Sequence, residues 1–177
     1  MGLSRLPPAE LGFVRPRSWP LAVTLAIAAG ILFKLAMKAV VMPLLGAPPV
    51  NAHYHYLEGN AAALPGMLFA VVVGAGFSEE LLYRGFLFER LGRLWGRGLA
   101  ALAGTVLLTA TLFAAAHYPD QGVPGVQQAA VFGLVFGAVY ARRREIVTLM
   151  VAHAAFDITA VVLIYQGWEN AVAQWLW

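Results

Sequence analysis

Long apolar runs separated by short polar connections dominate this chain. Five of the runs are as long, or nearly as long, as a membrane-spanning helix, which needs about 20 apolar residues. The alternation of polar and apolar positions typical of a transmembrane β-barrel strand is absent from these runs, so helices are the expected spanning structure. The pattern predicts spanning helices over residues 20–45, 64–88, 99–117, 126–141 and 146–166.

The segment after the last apolar run has a different pattern. Trp168, Trp175 and Trp177 are spaced over a short stretch that also contains Glu169 and Asn170. Tryptophan is enriched at membrane–water interfaces, so we expect a short amphipathic helix lying on the outer membrane surface. The predicted fold class is therefore all-α: a polytopic transmembrane helix bundle of about five spanning helices, followed by a short C-terminal interfacial helix.

Composition agrees with this fold and narrows the function. The chain has 177 residues, of which 60% are hydrophobic and 12% are charged, which indicates an integral membrane protein. We expect one domain over residues 1–177, with a cytoplasmic arm over 1–19 and a motif-bearing core over 71–157. With no cysteine, the chain has neither disulfides nor a thiolate nucleophile. A net charge of +3 does not indicate nucleic-acid binding, because the arginines flank apolar runs.

Basic residues alternate between the connections. Neither lysine nor arginine occurs in the first connection (47–60), in the third connection (118–125) or in the tail after residue 167. The arginines are found in the N-terminal arm and in the other two connections: Arg5, Arg15, Arg17, Arg90, Arg93, Arg97 and residues 142–144. The positive-inside rule then predicts a cytoplasmic N-terminus and an external C-terminus, in a prokaryotic plasma (inner) membrane. The arm shows no removable signal peptide.

Several polar side chains depart from this apolar pattern. Lys34 and Lys38 lie in the first run, where they either snorkel to the interface or face a polar cavity. His53 and His55 lie in the connection 47–60; they could bind a metal, but we expect an exposed, solvated loop.

The second run contains the acidic pair Glu79 and Glu80, followed by Arg84. Ionisable groups at membrane depth are costly and usually have a function. Glu80 and Arg84 are four residues apart, so they share a helix face and are expected to form a structural ion pair. Glu79 is rotated by about 100° from Glu80 and is free to handle a proton or a metal. A purely structural cluster of all three is the alternative.

Two further runs contribute ionisable groups. His117 ends the third run, and His153 and Asp157 share a face of the fifth at four-residue spacing. One glutamate, two histidines and an aspartate can activate water in either of two ways: through a bound metal, or with Glu79 taking the proton while histidines stabilise the oxyanion. Ser78 has no base four residues away, so we assign it to capping or packing.

These residues also carry a resemblance. The run Glu79 to Arg84 resembles the EExxxR motif of the CPBP family of intramembrane proteases, which includes CAAX prenyl proteases and bacteriocin-processing (ABI) proteins. Phe113 to His117 is similar to its FxxxH element, and the stretches 133–140 and 153–157 are similar to its third and fourth elements. The arm residues 8–13 resemble the leader that often precedes this core. Each motif is short, but their order from about residue 71 to 157 is specific.

The resemblance implies an all-helical intramembrane endopeptidase of the glutamate-dependent type, acting on a protein or peptide substrate at the membrane. Glu79 would activate the water with help from His117, while His153 and Asp157 would hold the oxyanion or a metal; Glu80, Arg84 and Phe113 would support the site. If a metal is present, zinc at Glu79, His117 and His153 is the expectation. The family more often has Asn at the position of Asp157, so this aspartate is protonated, binds the metal or orients His153.

Two rival functions fit the same chain. One is a non-catalytic membrane protein on the same scaffold, with a bacteriocin-immunity or partner-binding role; the other is a proton or ion carrier. A carrier would favour paired inverted repeats, and none is visible in the sequence.

His117 also poses a geometric problem. In straight, upright helices it would lie about 8–15 Å from the other groups in depth. A tilted third helix, or residues 89–98 lying along the interface, would remove that gap.

Overall fold

The computed structural model describes residues 7–177, and the only regular secondary structure in this part of the chain is helical, without a β-strand. Five helices are long and apolar enough to cross a membrane, which confirms the predicted fold class and an integral membrane protein. After a short 3₁₀ turn at Pro8–Leu11, they are α1 (Trp19–Leu44), α2 (Ala61–Trp95), α3 (Leu99–Ala116), α4 (Tyr118–Arg143) and α5 (Val147–Tyr165), followed by the short α6 (Glu169–Ala173). Residues 1–6 of the predicted arm, including Arg5, lie outside the described residues.

The bounds of α2 extend beyond the prediction of 64–88 at both ends. The helix is 35 residues long and continues to Trp95, because Glu89 accepts a hydrogen bond from Arg93 Nε at 2.6 Å, one turn later. Its centre has π-helical hydrogen bonding over Ala70–Glu79 and Leu81–Leu87. Apolar periodicity cannot reveal such a widened turn, which is often found at functional sites.

The predicted connection 118–125 is mostly helical. Tyr118–Arg143 consists of two helical segments that meet at a kink at Gly122, whose φ of 59° and ψ of −154° are non-helical; α4 denotes both segments. Pro119 and Pro124 suggest a loop in the sequence, but both sit where a helix tolerates proline: one in the first turn, the other directly after the kink.

Small residues allow the helices to pack closely. A Cβ on Gly30 of α1 would lie 2.2 Å from the Ala152 carbonyl oxygen of α5, so the two backbones touch there. The GxxxG pair of α4 packs on α3 in the same way: Gly133 faces Ala110, and Gly137 faces Val106. In lipid, where apolar side chains gain nothing by leaving the solvent, such close van der Waals contact drives helix association.

The basic connections meet at one end of the bundle. The buried Glu89 carboxylate is contacted by Arg93, by Arg97 at 3.3 Å and by Arg144 at 3.7 Å, and Arg93 also binds Glu10 of the arm. The connection 45–60 and the C-terminal tail meet at the other end, where Gly59 N–H donates to the Tyr165 carbonyl. This arrangement agrees with the alternation of basic residues, although the direction of the bundle in the membrane stays a prediction.

The short C-terminal helix is present at α6. Trp168, Trp175 and Trp177 are 54%, 60% and 70% exposed, as expected of residues that can contact an interface. Glu169 points inward instead, because its carboxylate accepts a hydrogen bond from Lys38 Nζ at 2.6 Å.

Gly30→Ala should destabilise the protein by about 1–3 kcal/mol, because the added methyl group overlaps a backbone carbonyl that cannot move independently. Gly66→Ala is the matched control, since nothing lies within 4 Å of its added Cβ. Thermal unfolding in detergent measures both. Equal melting temperatures for the two variants would contradict close packing of α1 on α5.

Candidate active site

A chain of three buried ionisable groups crosses the centre of the bundle. Glu80 Oε1 accepts a hydrogen bond from Arg84 Nη1 at 2.9 Å and another from His153 Nδ1 at 2.8 Å. Their exposed fractions are 0%, 1% and 3%, so water screens none of these charges. The predicted ion pair of Glu80 and Arg84 is present. Glu80 also binds His153 of α5, a contact that the sequence did not predict.

Aromatic rings surround this buried chain. Arg84 Cζ lies 4.8 Å from the Phe113 ring centroid, and the His153 ring lies 4.4 Å from that of Phe132. Arg84 Nη2 also reaches the Gly133 carbonyl of α4 at 3.5 Å. The guanidinium therefore contacts three helices and is stabilised by cation–π interactions as well as by its carboxylate.

The second nitrogen of His153 faces two other carboxylates. His153 Nε2 lies 3.4 Å from Asp157 Oδ2 and 3.8 Å from Glu79 Oε2. These acidic side chains are less buried than Glu80: that of Glu79 is 33% exposed and that of Asp157 is 22% exposed. One edge of the imidazole thus contacts the buried ion pair, and the other faces side chains that a substrate can reach.

One ring nitrogen of His117 is hydrogen-bonded, and the other has no hydrogen bond within residues 7–177. Its Nδ1 donates to the Phe113 carbonyl at 2.8 Å, one turn earlier in α3. In the neutral imidazole, Nε2 then carries the lone pair and can accept a proton. The Phe113 ring packs against His117 and His153, with centroid separations of 4.6 and 6.1 Å.

A cavity of about 690 Å³ connects these groups. Its wall includes Glu79, His117, His153, Asp157 and Phe113, so side chains of α2, α3 and α5 meet at one space. His117 reaches the same cavity as the other groups, and its ring and that of His153 both pack on Phe113. Glu80 and Arg84 are not part of the wall but lie behind it, as their predicted structural assignment requires.

The cavity also contains polar groups that the sequence did not assign to the site. Lys34 and Lys38 face the cavity and do not snorkel to the interface. Gln128 of α4 also lines the cavity and is hydrogen-bonded to Lys34. Gln128 could have been noticed as a polar residue near the start of the fourth apolar run, since polar side chains at membrane depth also singled out Glu79.

The connection 47–60 contributes to the cavity wall as well. His53 is exposed, as predicted, but it also lines the cavity together with Tyr54, whose hydroxyl accepts a hydrogen bond from Gln121 at 3.5 Å. Burial raises the pKa of the Tyr54 hydroxyl, so it stays protonated at neutral pH.

Metal binding was predicted at Glu79, His117 and His153. Over residues 7–177, no group of three or more His, Cys, Asp or Glu side chains is arranged to hold a metal ion. His153 Nδ1 is hydrogen-bonded to Glu80, while Nε2 faces the carboxylates of Glu79 and Asp157, which are oxygen ligands of the kind that metals bind. The zinc assignment stays a prediction.

Comparison with known proteins gives one match. The family model for type II CAAX prenyl endopeptidase Rce1-like proteins matches residues 61–159, more than half of the chain. The matched segment begins with α2 and ends two residues after Asp157, so it covers every site residue predicted from the sequence. Neither a curated protein nor a solved structure matches the chain.

Arg84→Met should lower the free energy of unfolding by about 3–5 kcal/mol, because it leaves the buried Glu80 carboxylate without a guanidinium partner. Arg143→Met is the matched control: Arg143 is exposed and has no ion pair within the described part of the chain, so we expect a change within about 0.5 kcal/mol. Unfolding by SDS in mixed micelles measures both. A similar loss in the two variants would show that Arg84 has no special structural role.

Proposed function

Since this chain belongs to the Rce1-like family of type II CAAX prenyl endopeptidases, we propose that it is an intramembrane endopeptidase that hydrolyses a peptide bond by means of water activated by Glu79. The observation that carries the proposal is the convergence of Glu79, His117 and His153, from three different helices, on one cavity wall. Separate ion pairs serving only helix packing would not require a common cavity.

Glu79 is assigned the role of general base. Its carboxylate lines the cavity and is a third exposed, so a water molecule can reach it, while neighbouring Glu80 is occupied by Arg84 and His153. Glu79 would take a proton from water as the oxygen attacks the scissile carbonyl carbon. The same proton would then pass to the leaving nitrogen as the C–N bond breaks.

His153 is assigned to the developing oxyanion. With Nδ1–H donated to Glu80, the ring orientation is held, and a proton on Nε2 would point towards Glu79, Asp157 and the cavity. Asp157, at 3.4 Å from Nε2, supports the reading in which the aspartate orients His153 and balances its positive charge. An ionised aspartate could not itself donate a hydrogen bond to an oxyanion.

His117 is assigned an assisting role. Its free Nε2 can accept a proton and its ring lies in the cavity wall, so it can relay a proton between water and the leaving nitrogen. All these steps use side chains of the protein only.

The family description makes a prenylated C-terminal peptide the first substrate class to test. Such a substrate ends in Cys-aliphatic-aliphatic-X with a lipid on the cysteine, so the lipid would lie in the bilayer while the peptide enters the cavity. We also propose that the arginine-rich end of the bundle faces the cytoplasm. The clustering of Arg93, Arg97 and Arg144 around Glu89 at one end supports this orientation.

Glu79→Gln should lower the rate of peptide cleavage by about 10²–10⁴-fold, the usual contribution of a general base. Cleavage of a farnesylated peptide by purified protein, followed by mass spectrometry, measures this. Ser78→Ala is the matched control, because Ser78 is adjacent in sequence but donates its hydroxyl to the Val73 carbonyl at 2.8 Å.

The outcome separates the proposal from its rivals. Full activity in Glu79→Gln, or loss of activity in Ser78→Ala alone, would contradict a glutamate-activated water. A scaffold with an immunity or partner-binding role would keep its biological effect in Glu79→Gln, provided that the variant accumulates to the same level. A proton carrier would show flux in liposomes that the same substitution abolishes.

A further inference from the structure

Lys34 is a buried cation in the cavity wall that the proposed mechanism does not use. Its side chain extends from α1, outside the segment matched by the family model, and the residue is 7% exposed. Nζ donates to Gln128 Oε1 at 2.8 Å and lies 4.8 Å from the centroid of the Phe156 ring. Both neighbours orient the ammonium group, but neither neutralises its charge.

The next lysine along the same helix provides a contrast. Lys38 lies one turn further on, and its Nζ is 2.6 Å from a carboxylate oxygen of Glu169. For Lys34, no carboxylate oxygen of residues 7–177 lies within 4.0 Å of Nζ. A charge held inside a membrane bundle is costly unless something compensates it. An uncharged polar side chain could also form the hydrogen bond that joins α1 to Gln128 of α4. Helix packing therefore does not explain why this position carries a positive charge.

The position of Lys34 relates it to the proposed reaction. Lys34 packs on Phe156, which is three residues after His153 in α5, a rise of about 4.5 Å along that helix. An extended peptide spans about 3.3 Å per residue, so a carboxylate a few residues beyond the scissile bond can reach Nζ. The ammonium has three donor hydrogens, and Gln128 uses one.

We propose that Lys34, oriented by Gln128, binds the free C-terminal carboxylate of the peptide substrate. This inference rests on the proposed endopeptidase function and adds a specificity residue to it. A carboxylate is the anion that a peptide end supplies, and a charge-assisted hydrogen bond would hold the chain so that its scissile carbonyl lies at His153. The subsite would therefore favour cleavage near a free C-terminus over cleavage within a long chain.

Binding can be tested separately from cleavage in the Glu79→Gln protein. The two probes are farnesylated peptides of identical sequence ending in Cys-aliphatic-aliphatic-X, one with a free C-terminal acid and the other with a C-terminal amide. Because both carry the same lipid, their partition into detergent cancels in the ratio of dissociation constants. The acid should bind about tenfold or more tightly than the amide, the usual scale for a hydrogen bond between charged groups.

Substitutions assign that preference to Lys34. In the Glu79→Gln background, Lys34→Gln should reduce the acid-to-amide ratio to about one, whereas Lys34→Arg should keep a preference for the acid. Lys38→Gln is the matched control, because it removes one positive charge from the same wall, and it should leave the ratio unchanged. Equal binding of acid and amide when Lys34 is present, or a preference that survives Lys34→Gln, would overturn the subsite. Equal binding of acid and amide is measured with Lys34 in place, so misfolding of the Lys34→Gln variant cannot affect that result.

Cleavage by the wild-type protein separates this inference from the proposed function. Acid-selective binding without cleavage of either peptide would reject the endopeptidase assignment and retain the carboxylate site. Cleavage of acid and amide with equal kcat/KM, together with equal binding, would retain the endopeptidase and reject the site. If both hold, Lys34→Gln should raise KM for the acid about tenfold with little change in kcat, and should leave the amide unaffected.

Discussion

The buried carboxylate of Glu80 is the interaction on which the rest of this structure depends. It accepts hydrogen bonds from Arg84 of its own helix and from His153 of α5, at 2.9 and 2.8 Å, with no exposed surface of its own. In a medium of low dielectric constant, such a charge is tolerated only when groups of opposite charge lie beside it, and here both bind one oxygen, Oε1. The pairing joins α2 to α5 and sets the orientation of the His153 ring, so that its second nitrogen faces the cavity.

The two adjacent glutamates consequently have different environments, which support the different roles proposed for them. Glu80 lies behind the cavity wall among aromatic rings, and Glu79 lies in the wall, where solvent and substrate can reach it. Close helix packing accompanies this separation, because Gly133, whose carbonyl contacts Arg84, also lets the backbones of α3 and α4 touch. The rigid side of the site and its reactive side are therefore built from consecutive residues of one helix.

The cavity brings together ionisable groups from five helices and one connection, and several of them lie beside a group of opposite charge. Lys38 is paired with Glu169, and His153 lies among three carboxylates. Lys34 differs because its direct contacts are an amide and an aromatic ring, and the carboxylates of Asp157 and Glu169 in the same wall lie more than 4.0 Å from its Nζ. The other lysine, glutamate and aspartate side chains of this wall, Lys38, Glu79, Asp157 and Glu169, each have a basic or acidic partner within 4.0 Å. This difference is the basis for proposing that Lys34 binds an anionic group of the substrate.

The sequence by itself determined the all-helical class, the five spanning segments and the ion pair of Glu80 with Arg84, because hydropathy and four-residue spacing are local properties. It also identified Glu79, His117, His153 and Asp157, since ionisable groups stand out against apolar runs. Only the tertiary structure decided that His153 bonds to Glu80, that Lys34 faces the cavity and that α4 begins before its kink. Those features depend on how the helices cross and tilt, and on the widened turn in α2. They could not be predicted because contacts between residues distant in the chain leave no local pattern in the sequence.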